Sequence, residues 1–229
     1  MIVSLHFADL DLRSALQTLR RPPRPGEVEG LTYAEALTRA PLGESLVPRP
    51  SPRKIGLLAA WADEAALDRF LATDPLAARL AAGWELRLQP VHVFGRWAGM
   101  PGLSEERGEL GEDEPVAALT LGRVRPQRVL PFLRAAAGAE RAAVTSPGLL
   151  ASTGLGRPPL VSTFSLWSSL AAMKEYAFSQ AGAHQAAVGI DRAKPFHRES
   201  AFVRFRPLTS SGRWDGRDPL AATAVPRLV

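Results

Sequence analysis

The four histidines of this chain are its residues best suited to bind a metal ion, because the 229 residues include no cysteine. Without cysteine, disulfides, thiolate nucleophiles and thiolate-bound metals are excluded, so His, Asp, Glu or Tyr must hold any metal. His184 lies in an alanine-rich segment whose inward positions step by three or four residues, the spacing of one helix face. Those positions are Leu170, Met173, Ala177, Gln180, His184 and Ala187. An imidazole on this face either packs among small side chains or binds a ligand.

The other three histidines occur in different settings. His6 lies on an early strand, and His92 lies on a strand with the parity opposite to that of its apolar neighbours. His197 belongs to the polar segment 194–200, KPFHRES. The sequence shows no His–Glu spacing typical of zinc sites, no dinucleotide-binding glycine loop and no G-x-S-x-G nucleophile motif.

The composition is that of an ordinary globular protein, with 46% hydrophobic and 22% charged residues and a net charge of +5. The 28 Lys and Arg residues are scattered rather than clustered, which does not favour binding to nucleic acid. The first residues, MIVSLHFADLDLRSAL, lack the basic start of a signal peptide, and no run reaches the roughly 18 to 20 apolar residues of a membrane span. We therefore expect a cytoplasmic protein, including one attached to the periphery of a membrane.

The sequence consists of two similar halves. In the first, KIGLLAAWADEAALDRFLATDPLAARL precedes PVHVFGRW; in the second, LVSTFSLWSSLAAMKEYAFSQAGAHQAAV precedes SAFVRFRPLTSSGRW. Both halves reach a Gly-Arg-Trp triplet, at 95–97 and at 212–214. The acidic, glycine-rich segment between the halves predicts a linker. We divide the chain into an N-terminal half at 1–98, a linker at 99–115, a C-terminal half at 116–209 and a tail at 210–229.

Each half has the element order of a ferredoxin-like unit. A strand and a helix precede the strand–helix–strand unit in both halves, which gives β-α-β-β-α-β twice. The alignment matches Trp61 with Trp167, and in the following helix Leu67 with Met173 and Phe70 with Tyr176. Segment 149–154 is a candidate second strand of the later half, whereas the first half shows no clear counterpart. The predicted fold class is α+β, with tandem duplicated ferredoxin-like halves whose sheets face each other or close into a barrel.

The last predicted strand places two arginines on one face of the sheet. Because side chains alternate along a strand, one face carries Ser200, Phe202, Arg204 and Arg206 and the other carries Ala201, Val203 and Phe205. The tryptophans that recur in the two halves are expected to pack in the core. They are Trp61, Trp97, Trp167 and Trp214.

Several separated motifs occur in one order along the chain. They are GRWAG at 95–99, RVRPQR at 123–128, GLGRPPL at 154–160, TFSLW at 163–167 before the alanine-rich helix with AH and QAAV, FHRESAFVRF at 196–205, and GRWDGRDPL at 212–220. With these motifs the chain resembles the spheroidene monooxygenase family of bacterial carotenoid ketolases, over most of its length. The resemblance is strongest from residue 115 onward.

That resemblance implies a protein that contains haem b. It also implies that the protein is related to the dimeric α+β barrel superfamily. The implied activity is a haem-dependent monooxygenase, an oxidoreductase that oxidises a hydrophobic, carotenoid-like substrate with dioxygen or peroxide and an electron donor. The departures lie in the proline-rich loops of the first half, and they affect the substrate more than the fold. A duplicated chain closes its own barrel as a monomer or forms a homodimer, and the sequence leaves both open.

The resemblance also implies site residues. A haem needs an axial ligand, an apolar slot and cations for its two propionates. His184 is the implied iron ligand, with His197 and His92 as alternatives. Its second ring nitrogen then needs a hydrogen-bond acceptor, for which Glu199 is a candidate. Glu199 has another reading, in which it pairs with Arg198 or Arg204.

Three arginines are the implied partners of the propionates, because a guanidinium matches the geometry of a carboxylate. They are Arg204, Arg192 and Arg125. Taken one at a time, each is equally consistent with an ordinary surface arginine. The sequence does not assign other catalytic residues.

Two other functions are compatible with the same scaffold. One is a protein that binds haem or another hydrophobic ligand without turnover. The other is a haem enzyme of different chemistry, such as a dehydratase or a peroxidase.

Overall fold

The computed structural model describes residues 1–42, 50–100, 102–103, 108–179 and 196–221. Eight strands and five helices form in this part of the chain. The strands are β1 (Ile2–Asp9), β2 (Leu31–Ala40), β3 (Lys54–Trp61), β4 (Trp84–Gly95), β5 (Val116–Val124), β6 (Leu149–Arg157), β7 (Leu160–Trp167) and β8 (His197–Gly212). The helices are α1 (Leu12–Arg20), α2 (Glu64–Thr73), α3 (Pro75–Leu80), α4 (Val129–Val144) and α5 (Leu170–Ser179).

The strands close into one antiparallel barrel in the order β1-β3-β2-β6-β7-β5-β8-β4. The predicted α+β class is confirmed. Each half contributes four neighbouring strands, and each half runs strand–helix–strand–strand–helix–strand along the chain. The barrel form also removes the exposed strand edges that an open sheet would leave.

The helices begin and end where the sequence provides the chemistry for it. Asp11 and Asp63 accept a hydrogen bond from a backbone N–H of the first turn of α1 and α2. Asp74 ends α2 and caps α3, and Pro75 occupies the first turn of α3, where its missing N–H costs nothing. The second helical region of the first half is therefore split into two helices.

Side-chain alternation separates a barrel interior from an outer face. Inward residues such as Val3, Leu5 and Phe7 of β1 and Leu119 and Leu121 of β5 are at most 2% exposed. Large aromatic side chains fill the interior towards one mouth of the barrel. The rings of Phe7, Trp84, Phe164 and Trp214 lie 4.8–6.2 Å apart between centroids.

The four recurring tryptophans are buried, as expected, but in two different environments. Trp61 and Trp167 lie on the outer face, and each donates from Nε1 to a serine hydroxyl at 2.9 Å, Ser4 for the first and Ser165 for the second. Trp97 and Trp214, from the two Gly-Arg-Trp triplets, belong to the barrel interior.

The two seams between the halves differ in length. Strand β4 pairs with β8 from Trp84 to Gly95, whereas β2 pairs with β6 only at Thr38, Arg39 and Ala40. Side chains reinforce the short seam. The hydroxyl of Thr38 donates to the Gly156 carbonyl at 2.8 Å, and that of Thr153 donates to the Ala40 carbonyl at 3.0 Å.

The helices cover the outer faces of the two halves unequally. In the first half, α1, α2 and α3 enclose a continuous buried cluster on β1, β2 and β3 that includes Ile55, Leu57, Trp61, Leu67 and Phe70. In the second half, the buried cluster under α5 is smaller. It consists of Val116, Ala118, Trp167, Leu170 and Met173.

Candidate functional site

The candidate site is the outer face of the sheet in the second half, which we call the C-half face. Strand β8 contributes Phe202 and Arg204, and its predicted alternation is confirmed, because Val203 and Phe205 point into the barrel core. Strand β5 contributes Thr120, which pairs with Phe202. The C-half face therefore combines aromatic, hydroxyl and cationic side chains.

The C-half face continues onto the end of β4. His92 pairs with Arg204 and Phe94 pairs with Phe202 across the β4–β8 ladder. The imidazole of His92 lies edge-on to the ring of Phe94, with 4.3 Å between ring centroids. Phe94 is 54% exposed, which is unusual for a phenylalanine on a central sheet face.

The middle of the C-half face is open. Thr120 is exposed, although it lies in the centre of β5 between the buried residues Ala118 and Gly122. The corresponding residue of the first half is His6, because β1 starts opposite Trp61 as β5 starts opposite Trp167. His6 is 2% exposed beneath its helices. Among the described residues, the centre of the sheet is therefore uncovered on the C-half face and covered on its counterpart.

Arg204 is a cation of this face without a carboxylate partner among the described residues. Its guanidinium carbon lies 5.9 Å from the ring centroid of Phe94 and 5.8 Å from that of Phe202. Its Nε is buried and has no hydrogen-bond partner among the described residues. Burial lowers the pKa of the Arg204 guanidinium. Among the described residues the guanidinium contacts two aromatic rings and no carboxylate, and such a half-buried cation favours an anionic ligand group.

Two histidines border the C-half face and one does not. His92 and His197 both lie on strands of this face. The ring of His197 rests against Gly122, where an added Cβ would come within 2.5 Å of it, and lies edge-on to Phe132 at 5.2 Å. His6 lies under the helices of the other half, where burial and then the charge of Arg87 lower its pKa to about 4.

The predicted site residues fall into three groups. His184 and Arg192 lie outside the described residues, so their roles stay predictions. Arg204 lies on the C-half face. Arg125 follows the end of β5, and its Nε donates to the carbonyl of His197 at 3.2 Å, which places it at the edge of that face.

Glu199 points to the opposite side of the sheet, into the barrel. Its carboxylate accepts from Arg123 Nε at 3.0 Å and from the backbone N–H of Ala98. The ion pair is therefore with Arg123 rather than with Arg198 or Arg204. Within the described structure Glu199 and Arg204 are not brought together on one face.

A polar cluster in one mouth of the barrel was not anticipated from the sequence. Glu35 accepts from Arg157 at 2.6 Å and lies 4.0 Å from Arg123. The guanidinium of Arg123 also stacks over Trp97, whose Nε1 donates to the hydroxyl of Tyr33 at 3.1 Å. Burial raises the pKa of Tyr33. The inward-facing charges made β2 hard to recognise, because an apolar inward pattern was expected there.

A shallow open groove of about 340 Å³ lies elsewhere, beside the C-terminal part of β8. Its acidic residue, Asp218, already accepts from Trp84 Nε1 at 3.0 Å and from Ser210 at 2.6 Å. We therefore do not assign a site there. Among the described residues, no group of three His, Asp or Glu side chains could hold a metal ion, and no helix is long and apolar enough to span a membrane.

The chain is similar in sequence to three curated proteins, all named spheroidene monooxygenase. It is 32% identical to that of Rhodobacter capsulatus over 192 residues, which are 81% of this chain and 79% of the relative. It is 35% identical to that of Rubrivivax gelatinosus over 179 residues, or 74% of this chain and 66% of the relative. For that of Cereibacter sphaeroides the identity is 28%, covering 80% of this chain and 59% of the relative.

Solved structures support the fold. An aldoxime dehydratase in complex with butyraldoxime superposes with a TM-score of 0.51 at 11% sequence identity, over 90% of this chain and 79% of the other. At this identity the likeness concerns the fold alone. No protein-family model matches the chain. Because the Rhodobacter capsulatus relative exceeds 30% identity over most of both chains, this chain belongs to the spheroidene monooxygenase family and is an oxidoreductase.

Proposed function

We propose that this monooxygenase depends on haem b and oxidises a hydrophobic, carotenoid-like substrate on the C-half face. The observation that carries the proposal is Arg204, a half-buried cation near exposed Thr120, whose Nε has no hydrogen-bond partner in the part of the chain that the structure describes. Family membership supports monooxygenation as the reaction class. The exposed centre of the C-half face supports this face as the binding site.

The residues present fit a haem. A flat macrocycle needs a slot between sheet and helices, apolar contacts and a cation for its carboxylates. In this proposal the slot lies over exposed Thr120, where no described residue covers the sheet. Phe94 and Phe202 give apolar surface, and Arg204 gives the cation. We propose Arg192 and Arg125 as further cations. Glu199 faces the barrel interior and pairs with Arg123, so we do not include it among the residues that contact the haem.

We propose that His184 would bind the haem iron, with His92 and His197 as the alternatives. Both alternatives border the C-half face. A bound haem would supply the oxygen chemistry that no side chain of this cysteine-free chain can perform.

The chain's own residues would bind and orient the haem and the substrate and would shield them from water. Phe94 and Phe202 offer ring faces to an apolar molecule, whose burial there is favourable at about 25 cal/mol per Å². Arg204 would orient the haem by one of its propionates, since a guanidinium fork fixes the plane of a carboxylate. Together they would keep water away from the reacting end of the substrate.

The finer features of the assembly are part of the proposal. We propose that the two halves arose by tandem duplication of a ferredoxin-like unit, because both have the same element order and the same strand order. We also propose that the protein forms a homodimer and is cytoplasmic or attached to the periphery of a membrane. The proposed oxidant is dioxygen or peroxide, used together with an electron donor.

The test is an absorption titration of the purified protein with haem. We expect a Soret band that saturates at one haem per chain and that shifts in His184→Ala. His6→Gln serves as the matched control, because His6 lies under the other half and should leave the band unchanged. No Soret change on adding haem would refute haem dependence.

Labelled dioxygen then separates the candidate activities. Incorporation of the label into a carotenoid-like substrate identifies a monooxygenase. Turnover without incorporation indicates a dehydratase or peroxidase, and haem binding without turnover indicates a binding protein.

A further inference from the structure

The two halves each place an arginine at the same point of the outer face. In the first half, Ser4 of β1 pairs with Arg87 of β4. In the second half, Ala118 of β5 pairs with Arg204 of β8. Ser4 and Ala118 correspond, because each lies two residues after the strand position opposite a matched tryptophan. Arg204 is therefore the counterpart of Arg87.

Arg87 is neutralised within the protein. It forms ion pairs with Asp68 of α2 at 2.7 Å and with Glu85, two residues before it on β4, at 3.1 Å. Burial alone would lower its pKa, but the two carboxylates outweigh burial, so the pKa of Arg87 is raised. The first half thus supplies its own anions to this position.

The second half replaces both anions. The helix alignment that matches Leu67 with Met173 puts Lys174 at the place of Asp68. The β-ladders put Phe202 at the place of Glu85, since His6 pairs with Glu85 and Thr120 pairs with Phe202. Lys174 forms its own ion pair with Glu112.

Arg204 consequently has no carboxylate partner among the described residues, and the rings of Phe94 and Phe202 are its neighbours. Burial lowers the pKa of Arg204, which is the opposite of the shift at Arg87. A ring face attracts a cation much less than a carboxylate does. Arg204 is only half-buried and neighbouring Thr120 is exposed, so among the described residues this cation is open to the outside.

We propose that residues 174 and 202 determine which half binds a ligand, by leaving the Arg204 guanidinium to a carboxylate of the ligand. The inference rests on the proposed function and adds the chemistry of recognition to it. Phe202 is then a specificity-determining residue, because it gives an apolar surface where the first half has a competing internal anion. The ligand is an amphiphile with an apolar body and at least one carboxylate.

The test uses Phe202→Glu, which restores the internal anion of the first half, and Phe202→Gln as its uncharged control of the same size. The probes are metal-free protoporphyrin IX, which carries two carboxylates, and its dimethyl ester, which carries none. Neither contains iron, so the histidine ligand does not contribute. Binding is followed by quenching of tryptophan fluorescence, and the stability of the ligand-free variants is followed by thermal unfolding.

We expect Phe202→Glu to bind the free acid about tenfold or more weakly than Phe202→Gln does, since a charge-assisted hydrogen bond is lost to competition. The ester should bind both variants within about twofold of each other. Ligand-free Phe202→Glu should unfold at a higher temperature than Phe202→Gln, because Arg204 gains a partner. Arg204→Gln should lower affinity for the acid only, and Arg206→Gln, on the same face but paired with Glu114, should change neither probe.

Equal acid affinities in Phe202→Glu and Phe202→Gln would overturn the inference, as would equal unfolding temperatures of the two. If the wild type still bound haem with a Soret change in that case, the haem proposal would stand and only the inference about residue 202 and Arg204 would fall. Failure of wild type to bind haem or either porphyrin would overturn both.

Discussion

Protonation of His6 should make the stability of this protein fall on mild acidification. His6 is 2% exposed, and its Nε2 lies 2.9 Å from the hydroxyl oxygen of Ser4, which also accepts from Trp61 Nε1 at 2.9 Å. Since Trp61 can only donate, the Ser4 hydrogen is free to point at His6, whose Nε2 is then an acceptor. An added proton would remove this bond and bury a charge.

The size of the effect follows from the pKa of His6 in the two states. Burial, and then the charge of Arg87, lower its pKa from 6.5 to about 4 in the folded protein. The unfolded chain takes up the proton below about pH 6.5, so stability is complete above that pH and is lost as the pH falls. Linkage gives a loss of about 2 kcal/mol between about pH 7.5 and 5. For a chain of this size that corresponds to about 4–8 °C in Tm.

The assay is urea unfolding across this pH range for wild type and His6→Gln. The glutamine amide can still reach Ser4 but does not titrate, and the carboxylates common to both proteins cancel in the difference. We expect the wild type to lose about 2 kcal/mol relative to the variant as the pH falls from about 7.5 to 5. A difference that does not change with pH would refute the reasoning, because it would mean that His6 titrates normally in the folded protein.

Three further outcomes are expected. Thr120→Trp should occupy the exposed centre of the C-half face and abolish haem binding in an absorption titration, with unfolding temperature unchanged within about 2 °C because the position is exposed. Glu35→Gln should destabilise the protein by about 1–2 kcal/mol, a value reduced for the partial exposure of Arg157, and urea unfolding should show little additional loss in a double variant with Arg157→Gln. Gly122→Ala should displace the ring of His197, because its Cβ would lie 2.5 Å from that ring, and the histidine resonances should shift in an NMR spectrum.

The repeated pattern made much of the fold predictable. Trp61 and Trp167, in matched sequence contexts, were expected to be buried and are each under 2% exposed. The alternation in β8 was readable because Val203 and Phe205 are apolar and Phe202 and Arg204 stand between them. These signals are local, so a single sequence contains them.

The sequence does not predict strand β2 (Leu31–Ala40) clearly, because its pattern depends on residues that are distant in the chain. Its inward positions include Glu35 and Arg39, which look like surface residues until Arg157 and Asp9 are known to meet them. Partners more than 100 residues apart, as Glu35 and Arg157 are, cannot be paired by periodicity. Periodicity also does not reveal the ion pair of Glu199 with Arg123, which are 76 residues apart.

The site was predictable in part. The sequence motifs point to Arg204 but do not explain its role. The explanation comes from comparing Arg204 with Arg87, and that comparison requires the register of two β-ladders. The openness of the C-half face at Thr120 could not be inferred from sequence, because an exposed threonine and a threonine under a helix look alike in a strand.

The packed barrel interior affects how long a substrate of this protein can be. Phe7, Trp84, Phe164 and Trp214 pack together inside the barrel and block a path along its axis. In the proposed function the substrate binds on the outer C-half face instead, where the width of the barrel does not limit the length of the substrate. A rod-shaped compound longer than the protein is wide can then present one short portion to the surface while both of its ends project beyond it.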